Sequence, residues 1–348
     1  MIRAAKYNAN YQLLINQIPY VIGSRVPELR VPLMGGFLYR RIVASGWVLI
    51  FLLAVSAGAQ AQSCTVSMPA MAFGNVNVLP GTAVDTTTTL TVTCSGGSGN
   101  TRRICISIGA GSANDATSRQ MNGPSANKAK YDLYSNSART QLWGSWQTGY
   151  DTAGVQIDVA KSSTTNVTVY GRFLASQPTI VAGAYSSTLT ANPFIQYDNQ
   201  GAAVCPTGTK TASTSSSVTA TVTSSCNVSA TNINFGSLGL LVANNDAQGT
   251  LTIQCNSTLP YTVSLNGGLS GATDPTQRKM SSAGINVIYG LYLDAARSLP
   301  WGSTVGTNTA SGTGTGLSQG QTVYGRIAPQ TTPKPSAYSD TLIATVTY

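Results

Sequence analysis

Residues 63–76 read SCTVSMPAMAFGNV, and residues 225–238 read SCNVSATNINFGSL. Phe73-Gly74 and Phe235-Gly236 stand at the same distance from Cys64 and Cys226. Four further matches follow in the same order. LTVTC, ending at Cys94, corresponds to LTIQC, ending at Cys255. YDLYSNSARTQLWG (131–144) corresponds to YGLYLDAARSLPWG (289–302), and VYGR recurs at 169–172 and 323–326. YSSTL (185–189) returns as YSDTL (338–342). An ordered set of internal matches marks one structural unit used twice. The length of 348 residues suits about two domains. The plan is a leader over 1–61, a first domain over 62–212, a connecting segment over 213–225 and a second domain over 226–348.

Short segments inside each unit alternate apolar and polar residues with period two. Examples are 90–94, 104–108, 166–170, 251–255 and 341–348. Clusters of Gly, Pro, Asn and Asp separate them, which predicts an all-β sandwich in each half. A closed barrel is the alternative. Charged residues make up only 9% of the chain and hydrophobic ones 42%, so the chain reads as folded rather than disordered.

The repeat also orders the cysteines. The second unit holds only Cys226 and Cys255, so these are expected to pair, and their counterparts Cys64 and Cys94 likewise. Cys105 and Cys205 remain and are expected to bridge within the first unit. Chain entropy assigns about 3 to 3.5 kcal/mol to each short bridge and about 4.7 kcal/mol to the long one. An even set of paired cysteines implies an oxidising compartment. The N-terminus agrees. Arg40 and Arg41 precede the apolar run 42–55, and Ala59-Gln60-Ala61 fits a signal-peptidase site. Met34 is the expected true start, because the residues before it lengthen the leader beyond an ordinary signal.

The formal charge of +9 is concentrated. Residues 1–61 carry Arg3, Lys6, Arg25, Arg30, Arg40 and Arg41 against Glu28 alone. The remainder has no basic run, which argues against nucleic acid as a partner. There is no His in the chain and no Glu after residue 28. Ser–His and Cys–His nucleophile pairs are therefore excluded. The ten Asp residues beyond the leader are scattered, and GTGTG at 312–316 lacks the Lys of a phosphate loop. No enzyme, metal site or cofactor is expected.

Together the early Cys, the Phe-Gly, the LTVxC segment, the stretch ending in Trp-Gly, the VYGR and the closing YSDTLIATVTY resemble the spore coat protein U domain. This is also the pilin domain of Csu-type (archaic) chaperone–usher pili. The resemblance covers nearly all of 63–348. It implies two tandem immunoglobulin-like domains of a type that lacks its last strand. A periplasmic chaperone fills that gap, and the N-terminal segment of an adjacent pilin subunit then replaces it at the outer-membrane usher.

Strand bookkeeping sharpens this expectation. Cys64 follows the expected cleavage site almost at once, so the mature head offers no donor segment, and the subunit is expected to cap a fibre. Between the domains, Val218, Ala220 and Val222 alternate with Thr219, Thr221 and Thr223 and would share one face of a strand. That segment is expected to complete the first domain in cis; a Thr/Ser linker is the alternative. Leu342, Ala344, Val346 and Tyr348 alternate at the tail and are expected to form the strand that binds chaperone or subunit. A complete sandwich is the alternative there.

The resemblance implies a pilus-tip adhesin, exported through the periplasm to the cell surface, that attaches to an abiotic surface or a host receptor and seeds biofilm. A secreted coat protein and a lectin module are the alternatives. Two apolar runs of the first domain are candidate adhesive loops. One holds Val78, Leu79 and Pro80; the other holds Pro178, Ile180 and Val181. Burial at the sandwich edge is the competing reading. Trp146 and Tyr150 belong to the first domain alone and are candidates to stack on a ligand. Trp143 and Trp301 match each other and are read as structural, as are Arg172 and Arg326, each with an Asp partner.

Overall fold

The computed structural model describes residues 63–96, 101–114, 118–146, 153–190, 195–197, 205 and 210–348. The leader, its cleavage site, Met34 and Tyr150 lie outside the described residues. The fold is all-β. Among the described residues the only helical turn is the 3₁₀ turn Pro124–Ala126.

The first domain contains β1 (Ser63–Ser67), β2 (Met71–Val76), β3 (Val84–Ser95), β4 (Thr101–Ile106), β5 (Ala113–Asn114), β6 (Arg119–Asn122) and β7 (Lys128–Tyr134). It continues through β8 (Val155–Ala160), β9 (Thr164–Phe173), β10 (Gly183–Thr190), β11 (Ile195–Tyr197), β12 (Lys210–Ala212) and β13 (Ser215–Val222). Its main sheet runs β1-β3-β9-β7-β6-β10-β13-β2, with β5 beside β6. The second sheet runs β12-β11-β4-β8. Leu90, Val92, Ile104, Ile106, Tyr131, Trp143 and Val169 are among its fully buried core residues.

The second domain contains β14 (Cys226–Ala230), β15 (Asn245–Cys255), β16 (Pro260–Leu265), β17 (Arg278–Ser282), β18 (Ile285–Tyr292), β19 (Ala310–Thr313), β20 (Gln319–Ile327) and β21 (Ala344–Thr347). Its sheets run β14-β15-β20-β18-β17 and β19-β16-β21. Trp301, Val263 and Cys255 form the centre of its core.

The shared motifs take the same structural places in both domains. Cys64 lies opposite Cys94 in the β1–β3 ladder, and Cys226 lies opposite Cys255 in the β14–β15 ladder. Disulfides join Cys64–Cys94, Cys105–Cys205 and Cys226–Cys255. Trp143 and Trp301 are fully buried. Each indole N–H donates to the second sheet, at the Ile106 carbonyl (3.0 Å) and the Val263 carbonyl (2.9 Å). Arg172 grips Asp85 through two hydrogen bonds of 2.7 and 2.9 Å, and Arg326 grips Asp246 through two of 2.8 Å. Arg139 and Arg297 close on the same carboxylates at 3.3 and 3.2 Å. These aspartates are held below the usual carboxylate range, first by the hydrogen bond from Arg172 or Arg326.

Candidate functional site

The two domains differ at one place, and that place is the candidate site. In the first domain β13 fills a slot between β10 and β2. It pairs antiparallel with β10 from Gly183↔Val222 to Thr190↔Ser215. It pairs parallel with β2, with Val218 opposite Met71 and Val222 opposite Val76. The alternation of its sequence sets its faces. Ser216, Val218, Ala220 and Val222 point inward and are buried, while Thr219 and Thr221 are exposed. Just upstream, β12 pairs with β11 in the second sheet. One stretch, 210–222, thus covers an edge that passes from one sheet to the other.

In the second domain no described strand occupies that slot. The counterpart of β2, around Ile233 and Phe235, is not a strand at all. The counterpart of β10, Ser336–Ile343, keeps only a bridge between Ser339 and Ser281, which repeats the Ser186–Asn122 pairing of β10 with β6. Met71, Phe73, Tyr185 and Leu189 are buried. Their counterparts Ile233, Phe235, Tyr338 and Leu342 are half-exposed. Between them lies a cleft of about 530 Å³, whose walls include Ile233, Phe235, Leu251, Leu291, Tyr338 and Leu342.

The tail residues are shared between core and edge. Ala344 and Val346 lie opposite Leu265 and Val263 of β16. Ala344 is buried, and Val346 packs against the core. The other edge of β21, which β12 covers on β11 in the first domain, carries no strand among the described residues. Leu342 lines the cleft, and Tyr348 is 46% exposed. The open edge thus runs along the backbone of 338–347, with Leu342 contributing an apolar side chain to the cleft.

One wall residue is polar in a way the first domain does not repeat. Asp340 stands where the first domain has the buried Ser187. Its Oδ1 accepts the backbone N–H groups of Leu269 and Thr341, both at 2.8 Å, and its Oδ2 accepts the Tyr289 hydroxyl at 2.6 Å. Burial, then the neighbouring Asp340, pushes the Tyr289 phenol far up. Gly268 lies against Asp340, and a Cβ there would collide with the carboxylate.

The adhesive-loop expectation needs correction. Val78, Leu79 and Ile180 are buried at 4, 7 and 3% exposure, and Pro178 and Val181 are half-buried. Pro80 alone of the six is exposed. Val222, the last residue of β13, pairs with Val76 and Gly183, so the loops that follow Val76 and precede Gly183 sit where the chain leaves for the second domain. Ser176 N donates to Gly81 O (3.2 Å) and ties the two loops together, and Val181 bridges to Ser257 of the second domain. Apolar side chains there close the sandwich end instead of facing outward. Trp146 is half-buried and packs over Gly154. Among the described residues, the exposed large apolar side chains all belong to the second domain, with Leu240 and Val242 at 75 and 76%.

Two buried arginines escaped the sequence reading. Arg119 and Arg278 are fully buried. Arg119 donates to the carbonyls of Ile108, Gly109 and Trp143. Arg278 donates to the corresponding carbonyls of Leu265, Asn266 and Trp301, and also to Pro275. The available signal was a further repeat match, Arg-x-Met at 119–121 and 278–280.

Comparison with known proteins agrees with this architecture. The family model for the Spore Coat Protein U domain matches residues 49–192 and again 212–345. Protein U of Myxococcus xanthus is 30% identical over 128 residues, spanning 33% of this chain and 71% of that protein. Among solved structures, the CsuC–CsuE chaperone–tip adhesion subunit pre-assembly complex of Acinetobacter baumannii aligns with a TM-score of 0.51 at 18% identity. That alignment covers 82% of this chain and 100% of the matched one. The CupB6 tip adhesin of Pseudomonas aeruginosa aligns with a TM-score of 0.37 at 10% identity, over 82% and 93% of the two chains.

Proposed function

We propose that this chain, which belongs to the Spore Coat Protein U domain family, is a tip-type subunit of a chaperone–usher pilus that receives a β-strand from another polypeptide in its second domain. One observation carries the reading: the slot that β13 fills in the first domain holds no described strand in the second, where a cleft lies instead. An apolar cleft flanked by an unpaired edge aggregates unless covered. A periplasmic chaperone is the first cover and an adjacent subunit the second, by strand addition. The usher would then pass the assembled subunit to the cell surface. The first domain, complete through its own β13, has no such need and is the part that would be presented for attachment and biofilm formation. The role proposed is one of assembly and adhesion.

Periplasmic co-expression with and without a candidate pilus chaperone tests this. A stable 1:1 complex should form, and replacement of Leu342 by Asn should abolish it while the first domain stays folded. Equal yields of soluble monomer with and without chaperone would overturn the proposal and favour a secreted coat protein, the role the family name suggests.

A further inference from the structure

We infer that the second-domain cleft selects its strand by the residue that comes to lie opposite Asp340, and that this residue carries a hydrogen-bond-donating side chain, hydroxyl or ammonium. The inference rests on the strand-acceptor reading and deepens it.

The first domain supplies the register. Ser187 lies directly opposite Val218, Tyr185 opposite Ala220 and Leu189 opposite Ser216. Both members of the Ser187–Val218 pair face the core and are at most 1% exposed. Directly opposed residues of an antiparallel pair hold their Cβ atoms about 5 Å apart and interact through their side chains. Tyr338, Asp340 and Leu342 repeat Tyr185, Ser187 and Leu189. A strand bound in the same register therefore sets one inward side chain beside Asp340.

That neighbour meets a carboxylate, where in the first domain it meets a hydroxyl. Asp340 is half-buried while the cleft is open, and a docked strand would cover it as β13 covers Ser187. Two backbone N–H groups and the Tyr289 hydroxyl already satisfy part of its charge. Among the described residues no Lys or Arg forms an ion pair with it. The nearby Arg278 spends its hydrogen bonds on carbonyl oxygens. A carboxylate has about four acceptor positions. Sealing the remaining one under an apolar side chain removes water without replacement, and that is costly for a charged group. A Thr, Ser or Lys opposite Asp340 restores the bond. The chain's own β13 sequence, with Val218 at this place, is thereby a poor ligand for the second domain, which disfavours capture of β13 from another copy.

Synthetic peptides test this on the full mature chain. The chain is refolded in the presence of a peptide of sequence 210–224, or of the same peptide carrying Val218→Thr or Val218→Lys, and retained peptide is titrated. The wild-type chain should bind the Thr and Lys peptides at least tenfold more tightly than the Val peptide. In Asp340→Ser, which restores the first-domain residue, the order should reverse. Asp340→Asn, which keeps the shape and removes the charge, should erase the advantage of Lys. The same ranking on all three chains, or the Val peptide strongest on the wild type, would sink the inference while leaving strand acceptance intact. Absence of binding by every peptide to every chain would instead count against strand acceptance itself.

Discussion

Residues 71–76 and 233–238 have nearly the same pattern, Met-Ala-Phe-Gly-Asn-Val against Ile-Asn-Phe-Gly-Ser-Leu. The first is strand β2, with Met71 and Phe73 buried; the second is not a strand, and its Ile233 and Phe235 are half-exposed. Intrinsic propensity does not separate them. The partner does: β2 has β13 alongside it, and 233–238 has no described neighbour in that place. Strand formation here is a consequence of pairing, in keeping with the context dependence of β propensity. Among the described residues, the second domain repeats the first without a counterpart of β13.

The most damaging way to break the comparison is to make the first domain resemble the second. Val218 is fully buried opposite Ser187. Val218→Asp places an unpaired charge in the core and should cost the first domain upwards of about 5 kcal/mol. Its melting transition should be lost and its core should become protease-sensitive, with the second domain unchanged. An unaltered first transition would mean that β13 does not complete that sandwich. The converse variant appends residues 210–224, with Val218 replaced by Thr, after Tyr348 through a flexible linker. Burial of the inward valine at about 1.5–3 kcal/mol, with smaller gains from the inward alanine and from covering the half-exposed Ile233, Phe235, Tyr338 and Leu342, less the cost of ordering the segment, should stabilise the second domain by about 1–2 kcal/mol. Chaperone binding should disappear in the same protein, which a pull-down would read.

Much of this architecture was legible because the chain repeats itself. The cysteine positions, the Trp-Gly and the VYGR marked equivalent places in two folds, and the alternation of Val218, Ala220 and Val222 marked an inward face. The failures have a common physical cause. Val78, Leu79 and Ile180 lie in apolar runs broken by Pro and Gly, and such runs look the same whether they close a sandwich or face outward. Only the register of β13 with Val76 and Gly183 shows that these loops lie beside the exit to the second domain. Arg119 and Arg278 look like surface residues because arginine usually is one. Their burial follows from carbonyl groups at the ends of β4 and β16 and at Trp143 and Trp301, which the Arg-x-Met repeat marks as equivalent places without showing that they are buried. Asp340 was visible as the one mismatch within YSSTL and YSDTL, but its meaning needed the neighbour that the first domain provides.

The buried arginines distinguish the domains by a smaller amount. Arg278→Met removes donors from the carbonyls of Leu265, Asn266 and Trp301 and should destabilise the second domain by about 3 kcal/mol. Arg119→Met should cost the first domain about 1 kcal/mol more. Asp132, 3% exposed and 3.6 Å from Arg119, loses its cation there, whereas the second domain has Gly290 at the matching place. Equal losses in denaturant titrations of the two variants would remove Asp132 from the account.

The Asp–Arg pairs should distinguish the domains least, since Asp85 and Asp246 sit in near-identical frames. Each carboxylate accepts two hydrogen bonds from one arginine and lies beside a second. Each is held below its ordinary value, led by the hydrogen bond from Arg172 or Arg326. A depressed folded pKa contributes stability that is present above the ordinary value of 3.8 and is lost as pH falls through the lower folded value. Both carboxylates are about a third exposed, so solvent screens the pairs and the contribution is limited to about 1 kcal/mol. Asp85→Asn and Asp246→Asn should therefore each lower stability at pH 7 by about that amount, one in each domain. The deficit should shrink as pH drops below about 4, because the wild-type carboxylate is then losing its charge as well. A deficit that stayed constant from about pH 7 to about pH 2.5 would show that the amide is penalised by its shape, and that the charge contributes nothing to either domain.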